Sequence, residues 1–280
     1  MATEQEKAIA DIIKRYKSYC AEIFEAYEDF LFQEFYLPEI HKNVKSGNFP
    51  IMDFESVNNN KKTKFRKDLI YGVISRQKLK IIGPRALLTS VSATEDFLQD
   101  VTFRVYRDFE GKLETTMETP EQQSKLLKII VDSQDKTEII SRIAEEKIRG
   151  IFYGNPADFF LKDKARIGLN NHFKDHYKLA IDDFKEVIAR RNIFTHNNGY
   201  VDRKYIREVK NPTLSLDEKV KITKQYLKDS IFLLHGLSTI VVDQVIKNNY
   251  GATKLKNKFE AYIKSFDKKY KVYKARHNSG

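Results

Sequence analysis

The sequence predicts an all-α protein, and three observations predict it. Glycine (11) and proline (6) are scarce in 280 residues, which leaves few tight turns to link strands. Apolar residues recur three and four places apart over long stretches, the spacing that lines one face of a helix. No stretch shows a convincing strand pattern, and no segment repeats.

Thr3 followed by Glu6 is a capping-box pattern, in which a hydroxyl and a carboxylate satisfy each other's backbone N–H groups at a helix start. Behind it Ile9, Ile12, Ile13, Tyr16, Cys20, Ile23, Phe24, Tyr27, Phe30 and Leu31 hold helical spacing. That helix is expected to end at Pro38. Residues 43–63 turn to Gly, Pro and Asn with the run NNNKKTK, the clearest linker in the chain. Gly83-Pro84 is expected to break the chain again before a helix over 90–105. A polar loop covers 108–121, helices follow over 122–131 and 136–149, and YGNPADFF is rich in turn formers. A helix over 172–195 carries Ile181, Phe184, Val187 and Ile188 as its apolar stripe. Asn211-Pro212 closes a loop, and Ser215 with Glu218 suggests a second capping box for a final helix to about 248. Three segments result: an N-terminal helical extension over 1–80, a helical bundle over 84–250, and a basic tail over 251–280.

The chain is long enough to bury a full core without staples. Its single cysteine, Cys20, excludes an intrachain disulfide and a thiolate metal cluster, which suits a reducing compartment. The N-terminus lacks a secretory signal pattern, so a cytoplasmic location is expected. The longest nearly apolar run, 231–242, contains His235 and is too short to span a bilayer, so no membrane association is expected. No glycine-rich phosphate loop is present, which removes the basis for an ATPase or kinase. The net charge is +11. Residues 251–280 carry nine basic and two acidic residues, with Phe259, Tyr262, Phe266, Tyr270 and Tyr273 among the lysines. That mixture suits phosphates and stacked bases, and equally a solvated helix whose aromatics pack on the body.

The chemistry-bearing stretch is RRNIFTHNNGYVDRKY, residues 190–205. Arg191 and His196 are five positions apart, about 140° around an ideal helix, so they share a face only if the coil loosens near Phe194. Asn-Asn-Gly supplies a left-handed stop just beyond. An arginine offers a planar fork of donors for a phosphate and offsets charge that builds up in a transition state. A histidine takes or gives a proton near neutral pH. Asn192 adds a neutral donor and acceptor. Arg166 and His172 fit the bare spacing too; only the later pair sits at the end of an apolar-striped helix. His172 and His176 could share a helix face like a zinc pair, but no Cys or nearby third His accompanies them, and no metal or cofactor is expected.

In this context the motif Arg191-Asn192-Ile193-Phe194-Thr195-His196 resembles the HEPN superfamily, small helical domains of which many are metal-independent ribonucleases. The stretch FKEVIARRNIFTHNNGYVDRKYI is similar to its prokaryotic defence-associated branch, where Arg-Asn is followed by His-Asn, a Gly and Asp-x-x-Tyr. The likeness takes in the acidic helix SATEDFLQD and the turn FYGNPADFF, spanning roughly residues 85–248. It implies a HEPN-like bundle and a homodimer whose paired motifs form one composite cleft that cuts RNA, as a toxin or antiphage effector with a cognate antitoxin or defence-system partner. It further implies that Arg191 stabilises the phosphorane, that His196 is the acid or base, and that Asn192 is the polar position of the motif. Asn197, Tyr205 and Arg190, with Lys268 and Lys269 in the tail, are candidate substrate contacts. The competing expectation is a non-catalytic HEPN-like module that binds RNA, a nucleotide or a protein.

Overall fold

In the computed structural model, which describes residues 3–50, 53–55, 61–64, 66–113, 119–152, 156–252 and 256–271, the first helix, α1 (Glu4–Ser46), begins at the expected box. Glu6 N–H donates to Thr3 Oγ1 at 3.2 Å and Thr3 N–H to Glu6 Oε2 at 2.8 Å. Ile12, Tyr16, Tyr19, Ile23 and Phe30 form its buried stripe. The expected stop at Pro38 does not occur: the helix runs through it and ends at Gly47, which adopts a left-handed φ of 81°. A proline inside a helix loses its own N–H bond and crowds the carbonyl four residues back, a cost offset here because the turns beyond it are held by Leu37, Ile40 and Val44 against Ile70 and Ile74. Those two belong to α2 (Lys67–Arg76). The intervening linker contains a small antiparallel hairpin, β1 (Asp53–Glu55) with β2 (Lys62–Lys64), which the sequence did not suggest.

Gly83-Pro84 is likewise no break. After α2 the chain widens into a π-helical turn, Gln77–Ile81, and continues as α3 (Ile82–Asp108). Pro84 falls just after the wide turn, which re-aims the backbone where its missing N–H would otherwise interrupt the helix. Gly83 itself is required for packing: a Cβ there would lie 2.8 Å from Cβ of Ile222.

Helices α4 (Pro120–Asp132) and α5 (Lys136–Phe152) match the expected pair. Short helices α6 (Asp158–Leu161) and α7 (His172–His176) lead to α8 (Lys178–His196). The helix expected over 172–195 is therefore two, parted at Tyr177 (φ −130°, ψ 29°), whose buried ring carries a hydroxyl that donates to Asp267 at 2.5 Å. Then come α9 (Arg203–Glu208), α10 (Lys224–Tyr250) and α11 (Lys256–Tyr270). Ser215 and Glu218 do bond, Ser215 N–H to Glu218 Oε2 at 2.9 Å, but they close a loop turn; α10 starts at Thr223, whose Oγ1 accepts from Tyr226 N–H. Phe259, Phe266 and Tyr270 of α11 are buried against the body, while Tyr262 is exposed. Residues 114–118 and 153–155, and the tail beyond 271 with Tyr273, lie outside the described residues.

Helix α1 runs antiparallel to α3, with Arg15 paired to Asp100 and Arg104 to Asp11. Two tyrosines of α1 knit the layers together. Thr239 donates to the carbonyl of His235, so the Tyr16 hydroxyl, 2.6 Å from Thr239 Oγ1, donates to it and accepts from His235 Nε2–H at 3.0 Å. Tyr19 accepts from Ser238 and donates to Thr94, whose own proton goes to the Ser90 carbonyl. Burial holds His235 neutral, with its pKa lowered to about 4. Helices α1, α3, α8 and α10 thus share one apolar core to which α5 and α11 add. Much of α1 lies inside that core rather than apart from it. Helix α10 is long and apolar enough by composition to cross a membrane, but 78% of its apolar window is buried inside this core.

Candidate active site at the end of α8

Helix α8 stays regular to its last residue. Asn197 N–H bonds the Ile193 carbonyl at 2.9 Å, and Gly199 N–H reaches the same carbonyl at 3.2 Å after Asn198 (φ 51°) and Gly199 (φ 81°) reverse the chain. The stop is where Asn-Asn-Gly places it. Gly199 is favoured there on a second ground, since a Cβ would crowd the Phe194 ring at 3.1 Å. The returning chain is clipped to the loop before α10, with Tyr200 bridged to Lys219 and Val220 N–H on the Gly199 carbonyl at 2.8 Å.

The loosening expected at Phe194 is therefore absent, and within one chain Arg191 and His196 stay on different faces. Arg191 turns inward. Its Nη2 donates to Glu95 of α3, only 19% of its side chain is exposed, and its Nε is buried without a hydrogen-bond partner. Burial raises the Glu95 pKa, with the Arg191 charge opposing that rise. His196 is exposed at the helix end, and its ring makes no hydrogen bond to a described residue.

Asn192 points away from the Glu95 contact and continues the stripe of Phe184 and Ile188 to the surface. It lines a groove of about 390 Å³ whose floor is the α8 stripe Phe184, Ile188 and Ala189 and whose far wall is Lys204 and Glu208 of α9. Asn197 caps the turn, donating from Nδ2 to the Tyr200 carbonyl at 2.6 Å.

Arg190 and Tyr205 lie beneath the surface, 7% and 1% exposed, and both are committed to Glu186. The Arg190 fork meets Glu186 Oε1 at 2.5 and 2.7 Å while stacking 3.9 Å over the Tyr226 ring. Tyr205 donates to the same oxygen at 2.9 Å and Tyr226 to the other at 2.7 Å. Burial, reinforced by the Glu186 charge, pushes Tyr205 up to about 12 and Tyr226 well above its usual range. Arg190, through two of its nitrogens, and Tyr205, through its hydroxyl, are committed to Glu186 and brace the site. Asp202 completes the brace by capping α9 through Tyr205 N–H at 2.7 Å, which gives the Asp-x-x-Tyr spacing a structural reason.

The tail lysines do not reach the motif. Lys269 pairs with Asp229 at 3.1 Å and Lys268 is exposed beside it. Tyr270 fixes this end of α11 at Asp183, eight residues before Arg191 and so roughly 12 Å back along α8. The rival Arg166 lies in an irregular loop with φ 52°, not on a helix with His172. His172 and His176 meet edge to face with ring centroids 5.2 Å apart, and burial, with His176 adding, lowers His172 to about 4. Among the described residues no cluster of three His, Cys, Asp or Glu side chains could hold a metal.

Two carboxylates of the site escaped the spacing argument. Glu186 could have been found, standing four residues before Arg190 on one helix face. Glu95 lies in the acidic stretch SATEDFLQD, but only the tertiary fold says which of its acids meets Arg191. Compared with models of protein families, with curated proteins and with solved structures, the chain matches none.

Proposed function

We propose that the chain is a metal-independent endoribonuclease of the HEPN type that cuts RNA as a homodimer, in the manner of a toxin or antiphage effector. The observation that carries this reading is the disposition of α8. Arg191 is held on α3 by Glu95 with about one-fifth of its side chain exposed, while His196 stands exposed where the helix stops. Within one chain the two diverge, so a phosphate would meet an arginine and a histidine together where two α8 ends face each other across a twofold axis.

In that cleft the RNA 2′-hydroxyl attacks the adjacent phosphorus and the bond to O5′ breaks. Charge on the phosphorane oxygens is offset by the arginines. One imidazole takes the 2′ proton while the partner subunit's His196 delivers a proton to O5′, leaving a 2′,3′-cyclic phosphate and a 5′-hydroxyl. No oxidant, metal or cofactor enters the balance.

Labelled RNA incubated in EDTA tests the reading. Cleavage with cyclic ends is expected, reduced about 10²–10⁴-fold by His196→Ala and by Arg191→Ala. Tight RNA binding with no cleavage would instead establish a non-catalytic module.

A further inference from the structure

The groove beside Asn192 has a use that the Arg-His motif does not explain. Its floor is apolar, from Phe184 and Ile188, and its rim carries one lysine from each wall, Lys185 of α8 and Lys204 of α9. Neither ammonium is firmly neutralised: Lys185 has its nearest acid, Asp182, at 3.8 Å, and Lys204 is exposed. Phe184 and Ile188 lie almost wholly covered at its base, so the open lining is mainly polar, and the volume of about 390 Å³ suits one small unit rather than a protein surface. Its position matters most. Lys185, Ile188 or Ala189, and Asn192 follow one helical stripe, and the next residue of that stripe, one turn of about 5.4 Å further, is His196.

Resting on the ribonuclease reading, we propose that this groove is a nucleotide subsite for single-stranded RNA. One nucleotide lies along the α8 stripe, its flanking phosphates on Lys185 and Lys204, its base edge on the amide of Asn192. Glu208 at the far wall accepts from an exocyclic amine, as carboxylates do with cytosine. The strand then leaves the groove toward His196. A groove of about 390 Å³ holds one nucleotide and not a paired helix.

The test uses the full-length His196→Ala chain, in which cutting is removed, and a short labelled oligocytidylate read by fluorescence anisotropy between about 50 and 200 mM salt. Adding Lys185→Ala and Lys204→Ala is expected to weaken binding about tenfold or more and to lower the slope of log affinity against log salt by about 1.4, since each single-strand phosphate contact contributes about 0.7. A paired duplex of the same length is expected to bind more weakly than the single strand. Lys268→Ala with Lys269→Ala serves as the comparison and should leave most of the slope in place. If the groove variant keeps the parent affinity and slope, or the tail variant accounts for the whole loss, the subsite is wrong while cleavage by the unmutated protein still upholds the ribonuclease. If the parent binds no RNA, both fall together. Both lysines are at the surface, so unchanged thermal unfolding of the variant verifies that the fold is intact.

Discussion

Arg191 of α8 and Glu95 of α3 meet across 96 positions of sequence as the ion pair that joins the motif helix to the centre of the bundle. Each is about one-fifth exposed, deep enough that an unpaired partner is costly yet wet enough to soften that cost. Glu95→Gln and Arg191→Gln are each expected to lower unfolding stability by about 1–2 kcal/mol. Combined, they should lose less than the sum, with a coupling energy of about 0.5–3 kcal/mol. A urea-denaturation double-mutant cycle measures this, and strict additivity would show that the pair contributes nothing.

Glu186 is the most heavily used carboxylate near the site, serving Arg190, Tyr205 and Tyr226 at once. Its removal strands a buried guanidinium and two buried hydroxyls. Glu186→Ala should therefore cost about 3–5 kcal/mol, and Glu186→Gln, which keeps an acceptor, distinctly less. A chemical-denaturation midpoint reports the difference; a loss under about 1 kcal/mol for the alanine would contradict the network.

His235 supplies the pH dependence. Its folded pKa of about 4 lies below the ordinary histidine value of about 6.5, so the folded state binds its proton less readily than the unfolded chain. The stability tied to the neutral ring is present above about pH 6.5 and is lost as pH falls toward 4, up to about 3 kcal/mol for a shift of this size. His235→Gln keeps a donor near the Tyr16 oxygen and cannot titrate. Between pH 7.5 and pH 4.5, to which about the same principle applies, the parent should lose clearly more stability than the variant; parallel losses would mean that His235 is not held neutral.

Gly236 faces Phe266 so closely that a Cβ would stand 2.0 Å from the ring. Gly236→Ala must push α11 off α10, at an expected cost of about 1–3 kcal/mol. Trypsin should then cut earlier at Lys264 and Lys268. Unchanged melting and unchanged cleavage would argue that α11 does not seat its ring there.

The order of helices could be read from apolar spacing, and the ends that obeyed local chemistry could be read as well: the Thr3–Glu6 box, the stop at Asn198-Gly199. What failed were local signals overruled at a distance. Pro38 does not stop α1 because Val44 finds Ile70 and Ile74, contacts that no window around residue 38 contains. Ser215 and Glu218 make the bonds of a capping box without a helix behind them, because the apolar stripe that would anchor one begins only after Thr223. The paired lysines and aromatics of 256–271 read as either a ligand surface or packing, and burial of Phe259, Phe266 and Tyr270 shows that these three rings pack on the body. At the site, the position of the stop and the helix carrying Arg191 and His196 were legible. Which acid each arginine meets was not, since Arg190 and Arg191 are neighbours in sequence and differ only in what faces them.

The Glu186 brace also has a topological consequence. It ties α8, α9 and α10 directly to one another, so the loop from Val209 to Thr223 connects elements that already hold together without it. Its tip, 211–213, is exposed. The backbone can therefore be opened there, or lengthened by a guest sequence, and new termini placed at that tip should leave the three helices in register.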